Sequence, residues 1–264
     1  TILLSKNQII AVSSAVLLTF VLYFGFGEVP KAEPPAATKT KEDKTYETVL
    51  LASKEEATAK LTPEQKNTLH TLESVLSSTK NDSTKVESLK QLASFWYQSG
   101  KPEVSGYYAD MVSDILKDKE AYQITGTTYR IALSEGGLDE KVRDVCSRRA
   151  IRAFEKAIRL DSTNVNYQMQ LAMVYVDKPL EDNPMKGILM LRELNTKHPE
   201  NADVNIQLGR LAIKTGQFEK AVERLKKAVE LSPGTVSIYC LLADAYTGLG
   251  DKTNAGLAEK KCKK

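Results

Sequence analysis

The sequence of 264 residues has little of the chemistry from which metal sites and disulfide frameworks are built. It contains three Cys, two His and one Trp, so a structural zinc site or a disulfide scaffold is not expected. Its 37 basic and 34 acidic residues leave a formal net charge of +3, which gives no support to nucleic-acid binding. With 27% charged and 42% hydrophobic residues, the composition excludes a polytopic membrane protein and a wholly disordered chain.

Charge is missing altogether from one segment near the amino terminus. Residues 9–27 read IIAVSSAVLLTFVLYFGFG and hold no charged side chain. About 20 apolar residues cross the hydrocarbon core of a bilayer as a helix, and aromatic residues favour its interface. The run is longer than the apolar core of a cleaved signal peptide. We therefore expect a retained single-pass transmembrane helix over 9–27, after a tail of residues 1–8.

The charges that flank this run do not agree on its orientation. Lys6 on one side favours a cytoplasmic amino terminus, whereas the lysines that follow, from Lys31 to Lys44, favour the reverse. We favour the arrangement common in bacteria, with the anchor in the inner membrane and the following domain in the periplasm. An odd number of Cys argues mildly for a domain that faces the cytosol, so that orientation stays open.

A polar spacer leads from the anchor into helical sequence. Residues 28–44, EVPKAEPPAATKTKEDK, contain three Pro and almost nothing to bury, which is typical of an extended linker. Residues 45–83 are assigned to amino-terminal capping helices, the first over 46–59. The second begins at Thr62, because Thr62-Pro63-Glu64-Gln65 matches a capping box with proline in the first turn.

The remaining residues, 84–264, contain an internal repeat. Its clearest unit is NADVNIQLGRLAIKTGQFEKAVERLKKAVELSPG. Gly209 and Ala221 are small where two helices would cross, Gly216 suits the turn between them, and Pro233 ends the second helix. Matching units start near residues 86, 119, 165, 202 and 236. Their spacing is about 34 residues, with an insertion at 132–145 and a longer turn, DKPLEDNP, in the third unit.

This unit resembles the tetratricopeptide repeat (TPR), a helix-turn-helix motif. The resemblance covers residues 84 to 262 in about five repeats, and it departs from the family at Ala212, where Tyr is usual. It implies an all-α fold in which helix pairs stack into a superhelix, here preceded by the single transmembrane helix.

We find no catalytic constellation among the repeats. Residues 248–253, GLGDKT, end like a phosphate-binding loop but lack its earlier Gly and fall on a repeat turn. His70 and His198 have no partner at ligand spacing. Four carboxylates lie in or beside the insertion, but a solvated helix explains them: Glu135, Asp139, Glu140 and Asp144. We therefore expect no enzyme, no cofactor and no metal.

The three cysteines are far apart in the sequence. Cys146 and Cys240 fall on predicted helices, where small packing roles are expected. Cys262 lies among lysines, which would leave it exposed and favour its thiolate.

The resemblance implies a peptide-binding groove lined by the first helix of each unit. Mapped onto this sequence, the groove positions are Glu87, Lys90, Gln123, Thr127, Arg130, Asn166, Met169, Met173, Asp203, Ile206 and Arg210. Met169, Met173 and Ile206 would form an apolar centre flanked by Arg130 and Arg210. Such a surface suits an amphipathic helix or an extended peptide with apolar anchors and some acidic residues. The alternative is that Met169 and Ile206 only pack against neighbouring helices.

These features together predict a membrane-anchored TPR scaffold or adaptor that recruits partner proteins and performs no reaction. Two alternatives share the same parts: a receptor for import or organisation that faces the cytosol, and a structural subunit of a large membrane complex. Self-association through the ends of the array is compatible with all three.

Overall fold

The computed structural model describes residues 41–263, in which every regular element is an α-helix. The predicted anchor at 9–27 and most of the predicted linker lie outside the described residues. No helix between residues 41 and 263 is long and apolar enough to cross a membrane. The chain divides into two units, Thr1–Lys44 and Thr45–Lys264, and the second holds the helical array.

Twelve helices follow one another with short connections. They are α1 (Lys41–Ala59), α2 (Pro63–Ser78), α3 (Asp82–Gln98), α4 (Pro102–Leu116), α5 (Lys119–Glu135), α6 (Glu140–Leu160), α7 (Val165–Asp177), α8 (Lys186–Lys197), α9 (Ala202–Lys214), α10 (Phe218–Leu231), α11 (Val236–Gly248) and α12 (Lys252–Cys262). From α3 onwards they form five antiparallel pairs, and each pair packs on the next. The prediction of an all-α, TPR-like array is confirmed.

Local sequence signals set the ends of these helices. At the start of α2 the Gln65 N–H donates to Thr62 Oγ1 over 3.2 Å, and the Thr62 N–H donates to Gln65 Oε1 over 3.0 Å. This is the predicted capping box. Between the helices of three pairs, Gly100, Gly216 and Gly250 have φ of 69°, 70° and 74°, which a residue with a Cβ rarely adopts. The tight turns of those pairs therefore depend on glycine.

Glycines also allow the two helices of a pair to approach closely. A Cβ added at Gly126 of α5 would lie 2.8 Å from the Phe154 ring of α6, and one at Gly209 of α9 would lie 2.7 Å from Leu225 of α10. Phe154 and Leu225 are both fully buried. The small-against-large pattern in the repeat sequence thus reflects direct packing between the first and second helix.

The predicted insertion at 132–145 forms no separate element. Instead α5 continues to Glu135 and α6 begins at Glu140, so these helices have 17 and 21 residues, whereas α9 and α10 have 13 and 14. The extra turns give α1 a surface on which to pack. Leu50 of α1 is 1% exposed and belongs to a core cluster with Leu133 and Val145 from the extended segments.

Helix α1 also corrects the predicted boundary of the linker. It begins at Lys41, so residues 41–44 are helical. Within the array unit, hydrogen bonds tie α1 to α4, from the Tyr107 hydroxyl to Glu47 over 3.3 Å and from Ser53 Oγ to the buried Glu103 carboxylate over 3.2 Å. The part of α1 that belongs to this unit is therefore attached to the amino-terminal half of the array.

The predictions for Cys240 and Cys262 were wrong. Cys240 and Cys262 form a disulfide between α11 and α12, with their Cα atoms 4.9 Å apart. Because the chain reverses between these antiparallel helices, residues 22 apart in sequence become neighbours. Cys146 is fully buried, as expected for a packing residue, and burial raises the pKa of its thiol.

A candidate peptide-binding groove between α3 and α5

A groove of about 510 Å³ runs between the first helices of the first two pairs, with α4 forming its floor. Ten residues line it: Ala93, Ser94, Tyr97, Ser105, Ala109, Gln123, Ile124, Thr127, Thr128 and Ile131. None of these ten side chains carries a formal charge. The groove is therefore apolar and hydroxyl-rich, in a protein of which 27% of the residues are charged.

Two large side chains in this groove are exposed to solvent. Ile124 is 61% exposed and Tyr97 is 49% exposed. Ile124, Thr127, Thr128 and Ile131 follow each other at helical spacing, so they share one face of α5. Exposed apolar groups gathered in a concave surface are characteristic of sites that bind protein or ligand.

Packing beneath the groove fixes the position of α5 relative to α4. A Cβ at Gly106 of α4 would lie 2.6 Å from the Tyr129 ring, so the two helices are in close contact. The Thr125 hydroxyl donates to the Ala109 carbonyl of α4 over 2.9 Å, and both residues are buried. Tyr129 itself is fully buried, which raises the pKa of its hydroxyl. Close packing between α4 and α5 therefore sets the shape of the groove floor.

Among the predicted positions, only Gln123 and Thr127 line this groove. Glu87 and Lys90 lie on α3 and line a second depression of about 600 Å³, which also includes Ile115 and Leu116 of α4. Asn166 is half-buried on α7, whereas Asp203 and Arg210 are exposed on α9. The predicted set thus spreads along the array and does not form one site.

Two of the three residues of the predicted apolar centre are buried. Met169 is 4% exposed and packs with Leu191 and Val204, whereas Ile206 is 8% exposed and packs with Leu225. Met173 is half-buried against the Met169 cluster. This burial favours the alternative, that Met169 and Ile206 only pack against neighbouring helices.

Arg130 was predicted to flank the apolar centre, but it is engaged within the protein. Its guanidinium lies 3.3 Å from the Asp177 carboxylate, and both side chains are largely buried. Burial raises the pKa of the Asp177 carboxyl, and the Arg130 charge acts in the opposite direction. Arg130 therefore links α5 to α7, and its charge is already balanced within the array.

Tyr97, Ile124 and Ile131 were missed from the sequence. The available signal was the helical spacing of apolar residues in α5, which places Ile124 and Ile131 on the same face as Thr127. Mapping by family position selected Gln123 and Thr127 and passed over the large apolar residue between them.

The acidic residues near the insertion have structural roles. Asp139 accepts a hydrogen bond from the Lys141 N–H and caps α6, Glu140 pairs with Lys178, and Asp144 pairs with Arg148 over 2.9 Å. Within residues 41–263, no group of three or more His, Cys, Asp or Glu side chains is placed to hold a metal ion. A third cleft lies between α1 and the α5–α6 turn, and charged residues of both signs line it, including Glu56, Lys60, Asp139 and Lys141.

Comparison with known proteins matches one segment of the chain to a family. Residues 209–250, from α9 to the end of α11, match the family model described as TPR repeat. No curated protein matches the chain.

Several solved structures are similar at low identity. They include MamA (19% identity over 67% of this chain and 89% of that one, TM-score 0.42) and MamA from Desulfovibrio magneticus RS-1 (18%, 67% and 93%, TM-score 0.43). YrrB, described as a TPR protein with an unusual peptide-binding site, shares 16% identity over 69% of this chain and 91% of its own, with a TM-score of 0.38. At these values the repeat assignment rests on the family match and on the geometry of the chain itself.

Proposed function

We propose that this chain is a membrane-anchored TPR scaffold that binds partner proteins through the groove between α3 and α5 and catalyses no reaction. The observation that carries the proposal is the pair of exposed side chains, Ile124 and Tyr97, held in a groove whose lining is uncharged. Leaving such apolar surface in water is unfavourable, and a bound partner would cover it. The TPR-repeat match at residues 209–250 is consistent with an interaction role.

The lining of the groove also defines the partner that we propose. A helix or an extended peptide would place apolar anchors against Ile124, Tyr97 and Ile131, while Ser94 and Gln123 offer hydrogen bonds. Because Arg130 is paired with Asp177, we no longer propose acidic residues in the partner at that position. The proposed partner segment is therefore apolar and uncharged where it enters the groove.

We further propose that residues 9–27 anchor the chain in the bacterial inner membrane and that the array lies in the periplasm. The charge-free run supports the anchor. The disulfide between Cys240 and Cys262 supports the orientation, since disulfides persist in oxidising compartments and are rare in the cytosol. The odd number of cysteines no longer argues against it, because Cys146 is buried in the core.

Peptide selection on the full chain in detergent tests the groove. We expect a displayed library with paired Leu, Ile or Phe residues to yield binders, and Ile124→Asp to weaken their binding at least about tenfold, since the carboxylate would be desolvated without a partner. Leu160→Asp is the matched control, because Leu160 is 55% exposed on α6 and does not line the groove. Equal affinities for Ile124→Asp and the unchanged chain would contradict the proposal.

Two measurements on cells test the membrane part of the proposal. The chain should resist carbonate extraction from membranes, and a variant without residues 9–27 should be released. Alkaline phosphatase fused after residue 264 should be active, because that enzyme needs an oxidising compartment to form its disulfides. An inactive but intact fusion would place the array in the cytosol.

A further inference from the structure

The final helix pair of the array is closed by a covalent bond at its open end. Cys240 lies near the start of α11 and Cys262 is the last residue of α12, so the disulfide joins the ends opposite the turn at Gly250. The Cα separation of 4.9 Å is within the range that a disulfide spans. In the described residues this is the only pair of helices so joined.

Apolar packing holds α12 weakly compared with the second helices of other pairs. The buried side chains of α12 are two alanines, Ala255 and Ala258, whereas Leu257 is 56% exposed. The preceding second helix, α10, buries Leu225 and Val222 as well as alanines. Since an alanine methyl removes much less apolar surface from water than a leucine side chain, α12 gains less from burial than α10 does.

Electrostatic contacts between α12 and α11 add little to this weak apolar packing. The Lys263–Glu259 pair, at 4.0 Å, joins α12 to the residue that follows it, is exposed, and does not reach α11. Lys261 Nζ lies 4.9 Å from the centre of the Tyr239 ring of α11, a contact that contributes modestly at an exposed site. The covalent bond is therefore the strongest connection between the far end of α12 and the array.

From this geometry we infer that the Cys240–Cys262 disulfide is a redox latch that keeps α12 on α11. When the bond is intact, Ala258 packs in a cluster with Leu242 and Ala245 of α11. When it is reduced, α12 separates from α11 much more often and exposes these side chains. The latch acts on the end of the array remote in sequence from the groove, so it does not depend on the proposed binding through the groove. Its formation in cells rests on the proposed location of the array in an oxidising compartment, whereas its effect on α12 is tested on the purified chain.

The chemistry requires a two-electron acceptor. The Cys240 and Cys262 thiols together lose two protons and two electrons, and the Sγ–Sγ bond forms between them. The acceptor that we propose is the active-site disulfide of a thiol–disulfide oxidoreductase, which takes up those electrons and protons and becomes a dithiol. Cys146 takes no part, because it is fully buried and no oxidant reaches it.

Thiol counting on the full chain, denatured and alkylated directly from acid-quenched cells, gives the first test. We expect one alkylated cysteine before reduction and all three after it. Cys146→Ala should give none before reduction and two after it. Finding Cys240 and Cys262 both alkylated without reduction would overturn the inference.

Hydrogen exchange with and without dithiothreitol tests the latch itself. A disulfide that closes a loop of this length restricts the opened state enough to change its population by on the order of 10²-fold. We therefore expect α12 amides to lose about that factor of protection on reduction, with α9 and α10 unchanged. The paired Cys240→Ser and Cys262→Ser variant should behave like the reduced chain without any reductant, and Cys146→Ala should respond like the parent chain. Equal protection of α12 in the oxidised and reduced chains would overturn the inference.

Discussion

The amino-terminal pairs, α3 to α6, and the carboxy-terminal pairs, α9 to α12, have the same helix-pair architecture but different core residues. Trp96, Tyr129 and Phe154 are fully buried in the first half, whereas the core of the second half is built from Leu225, Ile238 and alanines. Helix lengths differ as well, from 15 to 21 residues in the first half and from 11 to 14 in the second.

The two halves also differ in their ion pairs. In the first half some of them join different helices, as in Arg149–Asp110 at 2.9 Å and Lys119–Asp161 at 2.9 Å, and others, such as Arg148–Asp144, lie within one helix. In the second half, within the residues described, the pairs lie along single helices, such as Lys227–Glu230 at 3.1 Å. Exposed pairs within one helix contribute little to stability, whereas a buried pair between helices is costly to break.

The regular repeats and the features proposed for binding lie in different halves of the array. The segment that matches the TPR-repeat model, 209–250, lies in the regular half. The apolar groove, the extended helices and the contacts of α1 lie in the irregular half. Standard repeats therefore identify the architecture, and the departures from them contain the features proposed for binding.

Removing a large aromatic side chain is the most severe way to test this contrast. Phe154→Ala should lower the free energy of unfolding by about 4 kcal/mol, because a buried ring is replaced by a cavity. Leu225→Ala, its counterpart in the second half, should cost about 3 kcal/mol. Urea denaturation followed by circular dichroism measures both. A larger loss for Leu225→Ala would contradict the view that the aromatic half is the more dependent on its core.

Breaking a buried ion pair should cause the next largest loss of unfolding free energy. Arg149→Met leaves the largely buried Asp110 carboxylate without its partner at 2.9 Å, and we expect a loss of about 3 kcal/mol. Lys227→Met serves as the control, because it removes an exposed pair within α10 and should change stability by less than about 0.5 kcal/mol. The same denaturation experiment applies, and similar losses for both variants would remove the distinction between the halves.

Two glycine substitutions should have effects of opposite sign. Gly126→Ala would place a methyl 2.8 Å from the Phe154 ring, so overpacking should destabilise the fold by about 1–3 kcal/mol. Gly256→Ala adds a methyl in the interior of α12 with no atom within 4 Å, and should stabilise it by about 0.5–1 kcal/mol through helix propensity. Thermal unfolding of both variants decides the matter. A stabilising Gly126→Ala would mean that α5 and α6 pack less tightly than the structure shows.

The smallest effect concerns two aspartates of the first half. Burial raises the pKa of the Asp110 carboxyl in the folded state. The protonated carboxyl therefore stabilises the fold at low pH, and this stabilisation is lost as the pH rises through the raised pKa. The hydrogen bond from Lys119 lowers the pKa of the Asp161 carboxyl in the folded state. The ionised carboxylate therefore stabilises the fold at a pH above the ordinary pKa of aspartate, about 3.9, and this stabilisation is lost as the pH falls through the lowered pKa. Carbon-13 NMR titration of the side-chain carboxyls should give Asp110 the higher midpoint, and the reverse order would refute this assignment.

Much of the fold could be predicted because residues close together in the sequence determine the helix ends and turns of each repeat. Thr62 and Gln65 form the expected capping box, and Gly216 makes the expected turn. The long α5–α6 pair was read as an insertion because a 34-residue template has no place for extra helical turns. The packing of Leu50 against residues some 80 positions away in the chain leaves no periodic trace in the sequence.

The candidate site was harder to predict, for a reason visible at Met169 and Ile206. A family position tells which helix face a residue occupies, but burial depends on how tightly the neighbouring helices close over it. Around Met169 the helices α7, α8 and α9 close completely, whereas α3 and α5 stay apart and leave Ile124 in solvent. The disulfide was missed because its geometry arises only after α11 and α12 have paired.

The position of Leu50 has a consequence for how this chain folds. A repeat array usually folds through contacts between neighbours, and units can be added or lost at its ends. Here Leu50 of α1 shares a core cluster with residues of α5 and α6 that follow it by roughly 80 to 105 positions, which raises the contact order of the amino-terminal half. That half should therefore fold as one slow, cooperative block, while the carboxy-terminal pairs form locally and are open to gain or loss of repeats in evolution.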